Sequence, residues 1–390
     1  MIKRYRIGTV LGIPIEVDVS LLLVIPLIAW AIASDIARIV QVLSSVTGVQ
    51  LSAAAVSASP WPWLLGALCA IGLFCSVALH ELGHSVVALR SGYDIEAIKL
   101  WLLGGIAQFA DEPEEWADEL AIAVAGPAVS IGLGAAGVAL LFVVPPSLSR
   151  LQFFVGYLGV LNLALAAFNL LPGFPMDGGR ILRALLSRNR SLPEATDLAA
   201  TVGKVVAVGF GIVAILSFHL LLLAIAFFIY LGASAEARET RARANLAGTT
   251  VSDLMTPADA VETVSSDTTL SGLLDRMYRQ RHTGYPVVDD GQVKGIVTLA
   301  DISDVDAAEH DTTAVAAVMS TDLQTVGPDA SAYDALEAMN EENIGRLLVT
   351  DESASTVGLV SRTDLMTALA VARTTPRPRR RPTNGGLAGD

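Results

Sequence analysis

The chain has 390 residues, of which 53% are hydrophobic and only 17% are charged, and its mean hydropathy is positive. This composition is typical of an integral membrane protein that carries an additional soluble part. The net charge of −13 is concentrated in residues 251–372, which hold 21 acidic and 6 basic residues, and so acidic a segment argues against nucleic acid as a partner.

Apolar segments predict six membrane spans. The predicted spans, in chain order, are residues 19–39, 61–89, 120–144, 151–171, 196–217 and 220–232. Each except the last has room for roughly 20 helical residues, the length that crosses the hydrocarbon. Residues 205–232 also fit one overlong helix, but that helix would place the acidic segment outside the cell. We therefore expect a tight turn at residues 217–219.

Basic residues predict the orientation of the spans. They cluster before the first span and after the second, fourth and last spans, whereas the opposite loops offer only Arg38 and Arg150. By the positive-inside rule, both termini are cytoplasmic in a multi-pass protein of the cell membrane. The clustered residues are Lys3, Arg4, Arg6, Arg90, Lys99, Arg180, Arg183, Arg188, Arg190, Arg238, Arg241 and Arg243.

Two stretches beside the spans alternate like β-strands. Residues 6–19, which hold two glycines and a proline, predict a short hairpin at the membrane surface. Residues 95–109, interrupted at Gly104-Gly105, predict a second hairpin that follows directly on the second span.

Two histidines near the end of the second span predict a metal site. His80 and His84 are four residues apart, so both project from one face of a helix and both can reach one zinc ion. Glu81 lies between them, where a carboxylate can activate a metal-bound water. The alternative is a pair of helical histidines that solvate each other or face a polar cavity. Three ionisable side chains in a hydrocarbon-length segment are expensive, which weakens that alternative.

A third ligand is expected where the fourth span ends. Residues 169–180, with the sequence NLLPGFPMDGGR, break the helix at membrane depth, where irregular backbone is tolerated only if it is buried in protein or lines a polar cavity. Asp177 is the only carboxylate between Glu119 and Glu194. It is therefore a candidate functional residue; the alternative is a cap for the helix that begins at Gly178.

The soluble part contains an internal repeat. The sequence GIVTLAD at residues 295–301 returns as GLVSRTD at residues 358–364, and each copy predicts a helix, a strand, a turn, a second strand and a second helix. The predicted fold class is thus a polytopic α-helical membrane domain with six transmembrane helices, followed by a soluble α/β pair with a pseudo-two-fold cleft. The predicted domains are residues 1–236 in the membrane, a linker over 237–249, the two copies over 250–309 and 310–372, and a disordered tail over 373–390.

The sequence HELGH on the second span, together with NLLPGFPMDGGR, resembles the site-2 protease family of intramembrane zinc metalloproteases, in the branch with a C-terminal pair of CBS domains. The resemblance implies that His80, His84 and Asp177 hold one zinc ion per chain. It also implies that Glu81 is the general acid and base, and that Asn169 helps to hold the scissile carbonyl or its oxyanion.

Three further features follow from the resemblance. The hairpin over residues 95–109 is expected to lie beside the substrate. Gly126-Pro127 in the third span is similar to the family's small-residue packing motif, and Ser130 stands near a position where many members carry asparagine.

The repeated Gly-x-x-Thr/Ser-x-x-Asp pattern resembles the nucleotide-contacting signature of CBS domains. The resemblance implies that Thr298 with Asp301, and Ser361 with Asp364, contact the ribose and phosphates of an adenine nucleotide in the cleft. The alternative is a structural pair with an empty cleft, or one that joins two chains as a homodimer, since the acidic charge opposes phosphate binding.

The sequence therefore predicts a zinc-dependent endopeptidase that cuts transmembrane segments of membrane proteins within the lipid bilayer and is modulated through its CBS pair. The rival interpretation is a CBS-gated transporter or channel whose ion path is formed by His80, Glu81, His84 and Asp177. Purified protein that carries about one zinc ion per chain favours the protease, whereas ion flux without zinc favours the rival.

Overall fold

The computed structural model describes residues 4–101, 104–109, 113 and 115–374 and forms two compact units that divide between Thr240 and Arg241. The helices of the first unit are α1 (Val19–Ser34), α2 (Ile36–Thr47), α3 (Ala53–Ser57), α4 (Trp61–Arg90), α5 (Trp116–Val143), α6 (Ser149–Asn169), α7 (Asp177–Ser187) and α8 (Leu192–Leu216). Helix α9 (Leu220–Leu246) begins in the first unit and ends in the second. The strands of the first unit are β1 (Arg4–Val10), β2 (Ile13–Asp18), β3 (Ile95–Trp101) and β4 (Gly104–Phe109).

Within the described residues, the helices long and apolar enough to cross a membrane are α4, α5, α6 with the turn before it, α8 and α9. The bent pair α1 and α2 makes a sixth span if it crosses as one. The predicted helical membrane fold is therefore confirmed. Ser191 and Glu194 form a capping box at the start of α8, in which their side chains accept hydrogen bonds from backbone amides that have no partner within the helix. The tight turn predicted between the last two spans is also confirmed, with Phe218 at φ 53° between Leu216 and Leu220.

The first predicted span, over residues 19–39, is not one straight helix, because the chain bends by 76° between α1 and α2. Asp35 is the C-cap of α1: its φ of −116° and ψ of 20° are not helical, so the helix ends there. Its amide donates the last hydrogen bond of α1, to the backbone oxygen of Ala31. The bend brings Ile36 and Val40 into a core that they share with side chains of α4 and α6. Burial of this apolar surface offsets the interruption of the helix.

The two predicted hairpins are confirmed, and they belong to one sheet. β1 pairs with β2 and β3 pairs with β4, both antiparallel, while β2 pairs in parallel with β3 through Ile15 opposite Ile98 and Val17 opposite Leu100. The sequence did not predict this parallel join, since its strands are far apart in the chain. Ile98 shares a buried core with Phe74 of α4, which brings β4 beside α4.

Helices α5 and α6 approach each other through glycines. A Cβ atom at Gly137 would lie 2.7 Å from the Cα atom of Gly159, and a Cβ atom at Gly159 would lie 2.7 Å from the amide nitrogen of Val138. In a bilayer, small residues stabilise helix pairs by allowing such close backbone packing. The contact fixes α6, which carries Asn169 at its end, against α5.

The second unit is the predicted α/β pair. Its elements are β5 (Thr256–Pro257), α10 (Leu270–Gln280), β6 (Gly284–Asp289), β7 (Gln292–Thr298), α11 (Leu299–Ser303), β8 (Thr325–Val326), α12 (Ala332–Glu341), β9 (Arg346–Thr350), β10 (Thr356–Ser361) and α13 (Arg362–Thr374). The strands form a sheet in the order β5-β10-β9-β8 and a β6-β7 hairpin. β5, near the start of the first copy, pairs with β10 of the second, and Ser320, near the start of the second copy, bridges to Ile296 of the first. This reciprocal exchange produces the pseudo-two-fold arrangement.

The predicted disordered tail lies outside the described residues from residue 375 onward, and residues 373 and 374 complete α13. The predicted domain boundaries stay predictions.

The glycine contact between α5 and α6 can be tested with one methyl group. Gly137→Ala should lower the free energy of unfolding by roughly 1–3 kcal/mol, because the added methyl pushes two backbones apart. Gly132→Ala on the same helix is the matched control, since a Cβ atom there meets nothing within 4 Å. Thermal unfolding in one detergent measures the difference. Equal melting temperatures for the two variants would contradict this packing.

Candidate metal centre and active site

Two imidazoles and one carboxylate converge between α4 and α7. The Nε2 atoms of His80 and His84, on one face of α4, are 3.2 Å apart. Asp177, the first residue of α7, places Oδ2 3.1 Å from Nε2 of His80 and Oδ1 3.4 Å from Nε2 of His84. The ligand atoms of the three residues all lie within 4.8 Å of one another. The structure thus brings together three side chains that the sequence singled out.

Contacts with α5 orient both imidazoles. Nδ1 of His84 lies 2.7 Å from the backbone oxygen of Ile122, which only accepts, so this nitrogen carries the proton and donates it. Nδ1 of His80 lies 2.9 Å from the hydroxyl oxygen of Ser130, which is able to accept a hydrogen bond in the same way. Nε2 of His84 therefore keeps a lone pair for a metal ion, and Nε2 of His80 keeps one when the hydroxyl of Ser130 accepts. Sequence reasoning missed the Ile122 contact and assigned no bond to Ser130, because neither partner is near in the chain.

Gly126 of α5 leaves room for an ion beside the imidazoles. A Cβ atom at this position would lie 2.2 Å from Nε2 of His84 and 2.7 Å from Nε2 of His80. Zinc–ligand distances of about 2.0–2.2 Å in a tetrahedron place the ligand atoms roughly 3.3 Å apart, close to the separations observed among the three residues. Two imidazoles, a carboxylate and the space left by the missing side chain of Gly126 therefore fit a zinc ion. Sequence reasoning identified Gly126 only through its likeness to a packing motif.

A tight loop between α6 and α7 presents Asp177. Phe174 and Met176 of this loop are buried, and a Cβ atom at Gly178 would lie 2.1 Å from the backbone oxygen of Leu171, so the loop closes only over a glycine. No side chain caps the start of α7. The carboxylate of Asp177 contacts the imidazoles instead, which disagrees with the helix-cap alternative.

The electrostatic surroundings keep Asp177 anionic. This residue belongs to α7, which is not one of the spanning helices. Burial alone would raise the pKa of its carboxyl, but its contacts with the imidazoles of His80 and His84 outweigh burial and hold the pKa well below its usual range. The group therefore remains an ionised ligand candidate at neutral pH.

Glu81 and Asn169 adjoin this cluster. Glu81 is half-buried on α4 and faces β4, where a Cβ atom at Gly105 would lie 2.5 Å from Cγ of Glu81 and 3.2 Å from its Oε1. Nδ2 of Asn169, at the end of α6, lies 3.4 Å from Nε2 of His80. All five membrane-domain residues that the sequence singled out are thus near one another, and Gly105 is an additional close neighbour.

In the second unit, the repeated pattern has a local structural role. Oδ2 of Asp301 accepts hydrogen bonds from the amide and the hydroxyl of Thr298, both at 2.7 Å, and so caps α11. Asp364 does the same for Ser361 at the start of α13. The two copies differ in their surroundings, because a cavity of about 520 Å³ is lined by Thr298 and Asp301 but not by Ser361 and Asp364.

Arg346 of the second copy also lines this cavity. Its guanidinium donates to the hydroxyl of Thr283 at 3.2 Å, and burial lowers the pKa of Arg346 below its ordinary value. Cavities of this size bind small ligands, and Arg346 gives the cleft a cation within an acidic domain.

The sequence matches two known families. Residues 68–153 and 146–216 match the family described as Peptidase family M50, and residues 251–308 and 315–371 match the CBS domain.

Curated relatives resemble almost the whole chain. A zinc metalloprotease of Methanocaldococcus jannaschii is 35% identical over 77% of this chain and 84% of its own length. Rip3 of Mycobacterium tuberculosis, also named as a zinc metalloprotease, is 32% identical over 94% of this chain and 93% of its own length. The structure of a site-2 protease from M. jannaschii covers 60% of this chain and 96% of its own, with 33% identity and a TM-score of 0.41.

These relatives are named as metalloproteases. The predicted family and enzyme class are therefore confirmed. The chain belongs to peptidase family M50, the site-2 protease family of intramembrane zinc metalloproteases, and carries a pair of CBS domains after its membrane domain.

Proposed function

We propose that this protein is a zinc-dependent endopeptidase of the cell membrane that hydrolyses peptide bonds within transmembrane segments of other membrane proteins. The observation that supports this most directly is the convergence of His80, His84 and Asp177 around the space that Gly126 leaves open. Nε2 of each histidine and a carboxylate oxygen of Asp177 would hold the zinc ion. When bound, the ion supplies Lewis-acid activation of the scissile carbonyl and of the attacking water.

Glu81 and Asn169 have separate roles in the proposed reaction. Glu81 accepts the proton of the attacking water and returns it to the leaving nitrogen. Asn169 donates from Nδ2 to the carbonyl oxygen as negative charge develops there. The position of Glu81 beside Gly105 and that of Asn169 beside Nε2 of His80 suit these roles.

The sheet offers a way to hold the substrate. A helical peptide bond is shielded and its carbonyl is already hydrogen-bonded, so a substrate helix must unwind before cleavage. β4 is the last strand in the order β1-β2-β3-β4, and one of its edges has no partner strand within the described residues. An extended substrate segment would pair with this edge, as peptides do with other exposed strands. Gly105 on β4 would bring that segment next to Glu81.

We infer that both termini are cytoplasmic and that the site lies toward that side of the membrane. Support comes from the clustered basic residues in alternate loops. His80 lies ten residues before Arg90, where α4 ends, which is about 15 Å at the rise of a helix. The active site would thus be reachable by cytoplasmic water.

Catalysis and metal binding should separate by mutation. Glu81→Gln should keep zinc and lower turnover by about 10²–10⁴-fold, because the general base is lost while the ligands remain. Asp177→Asn should weaken zinc binding as well as turnover. Metal analysis and a cleavage assay with a transmembrane substrate, made on the same preparations, measure both effects. Near-normal turnover by the Glu81→Gln protein would refute the mechanism.

The space beside Gly126 gives an independent test. Gly126→Ala should abolish zinc binding, since its methyl group would occupy the position next to both Nε2 atoms. Gly132→Ala, six residues further along α5, should bind zinc like the wild type. Zinc content after dialysis against a metal buffer measures the difference. Full zinc occupancy in the Gly126→Ala protein would mean that the metal site lies elsewhere.

We further propose that the CBS pair binds an adenine nucleotide and thereby modulates the protease, and that it joins two chains as a homodimer. The cavity beside Thr298 and Asp301 supports a nucleotide site, and Arg346 would face its phosphates. The second position, at Ser361 and Asp364, repeats the same residue pattern. A tenfold change in activity needs only about 1.4 kcal/mol of differential nucleotide binding between two states of the enzyme.

Calorimetry on the full-length protein in detergent tests the nucleotide proposal. Asp301→Ala should weaken binding of ATP, ADP or AMP, whereas Asp253→Ala, which removes the capping box with Thr250 and lines no part of the cavity, should retain it. Protease activity with and without the nucleotide then tests coupling. Absence of heat with all three nucleotides at millimolar concentration would leave dimerisation as the role of the pair.

A further inference from the structure

A buried ionic cluster joins α7, the helix that begins with Asp177, to α5 and α9. Nε of Arg183, on α7, donates to Oε1 of Glu119 on α5 at 2.6 Å, and NH1 of Arg183 donates to Oε1 of Glu236 on α9 at 2.7 Å. The side chains of Arg183 and Glu119 are less than a tenth exposed, and that of Glu236 is 28% exposed. One guanidinium thus joins three helices through two separate N–H groups, which is the geometry that arginine provides and lysine does not.

The same guanidinium contacts the loop that presents Asp177. Its central carbon lies 5.2 Å from the ring centroid of Phe174, a fully buried side chain three residues before Asp177. Arg183 itself lies on α7, less than two turns after Asp177. Arg183 therefore constrains the position of Asp177 in two ways: through the loop that precedes Asp177 and through α7, which begins with Asp177.

Helix α9 packs along this loop. Ala233 of α9 shares a buried core with Phe174, and Ile229 shares another with Met176. A Cβ atom at Gly232 would lie 2.9 Å from Cγ of Pro175. Glu236, which contacts Arg183, lies about one helical turn after Gly232 and Ala233 on α9. Apolar packing holds the loop against α9, and the ion pair fixes how α7 is placed along it.

We propose that Arg183 is a positioning residue that sets the distance from Asp177 to His80 and His84, by binding α5 through Glu119 and α9 through Glu236. The proposal rests on the proposed zinc site. Glu119 belongs to α5, the helix whose Ile122 and Ser130 orient the two imidazoles. Through Arg183, the position of Asp177 is therefore fixed relative to the same helix that fixes the histidines. Loss of Arg183 would leave two carboxylates without this partner and free α7 to shift.

Zinc affinity, measured by competition with a chelator, tests the proposal. Arg183→Met should weaken zinc binding about 10–100-fold, the range seen when residues that orient metal ligands are removed. Arg183→Lys should recover part of the loss, because an ammonium keeps the charge but cannot serve both carboxylates with the same geometry. Glu236→Ala should weaken binding, and Glu236→Gln, whose amide oxygen still accepts from Arg183, should weaken it less. Arg190→Met, at an exposed arginine beyond α7, is the control and should bind normally.

Thermal unfolding of the zinc-free proteins separates positioning from general stability. Positioning predicts that zinc affinity falls by more than any loss of metal-free stability explains, and that at saturating zinc kcat falls while KM is unchanged. If Arg183→Met does not fold, the two Glu236 variants decide. Wild-type zinc affinity in Arg183→Met or Glu236→Ala, while Asp177→Asn loses zinc, would overturn this inference alone. Normal zinc binding by Asp177→Asn would instead overturn the proposed site.

Discussion

The packing of one face of α5 against α4 and α7 is the constraint on which the rest of the site depends. Glu119, Ile122, Gly126 and Ser130 follow one another at intervals of three or four residues, so they share that face. A hydroxyl and a backbone oxygen orient the two imidazoles, and the glycine leaves space beside them. The carboxylate at the end of the row binds α7 through Arg183. One face of α5 therefore positions the two imidazoles and, through Arg183, the helix that carries Asp177.

Local patterns in the sequence predicted the three side chains that converge in the structure. His80 and His84 were recognisable because helical spacing alone places them on one face, and Asp177 because a carboxylate on a broken membrane helix is rare. Their supporting contacts were not predictable, since Ser130 is 50 residues from His80 and Ile122 is 38 from His84. The parallel pairing of β2 with β3 was not predictable for the same reason.

The bend at Asp35 and the repeated CBS pattern show two other limits of sequence reasoning. Apolarity continues through the bend, so periodicity did not reveal that burial of Ile36 and Val40 outweighs a straight helix. In the CBS pair, a threonine or serine three residues before an aspartate caps a helix in both copies, whether or not a cavity adjoins it. Local capping therefore explains the repeat by itself, and the cavity that distinguishes the two copies depends on contacts between them.

The central claim is that one zinc ion is held by two imidazoles and a carboxylate at membrane depth. X-ray absorption at the zinc edge of the purified full-length protein measures this directly. The account predicts two imidazole nitrogens at about 2.0–2.1 Å, together with oxygen ligands and no sulfur. A zinc spectrum without imidazole scattering, or one with a sulfur shell near about 2.3 Å, would contradict it.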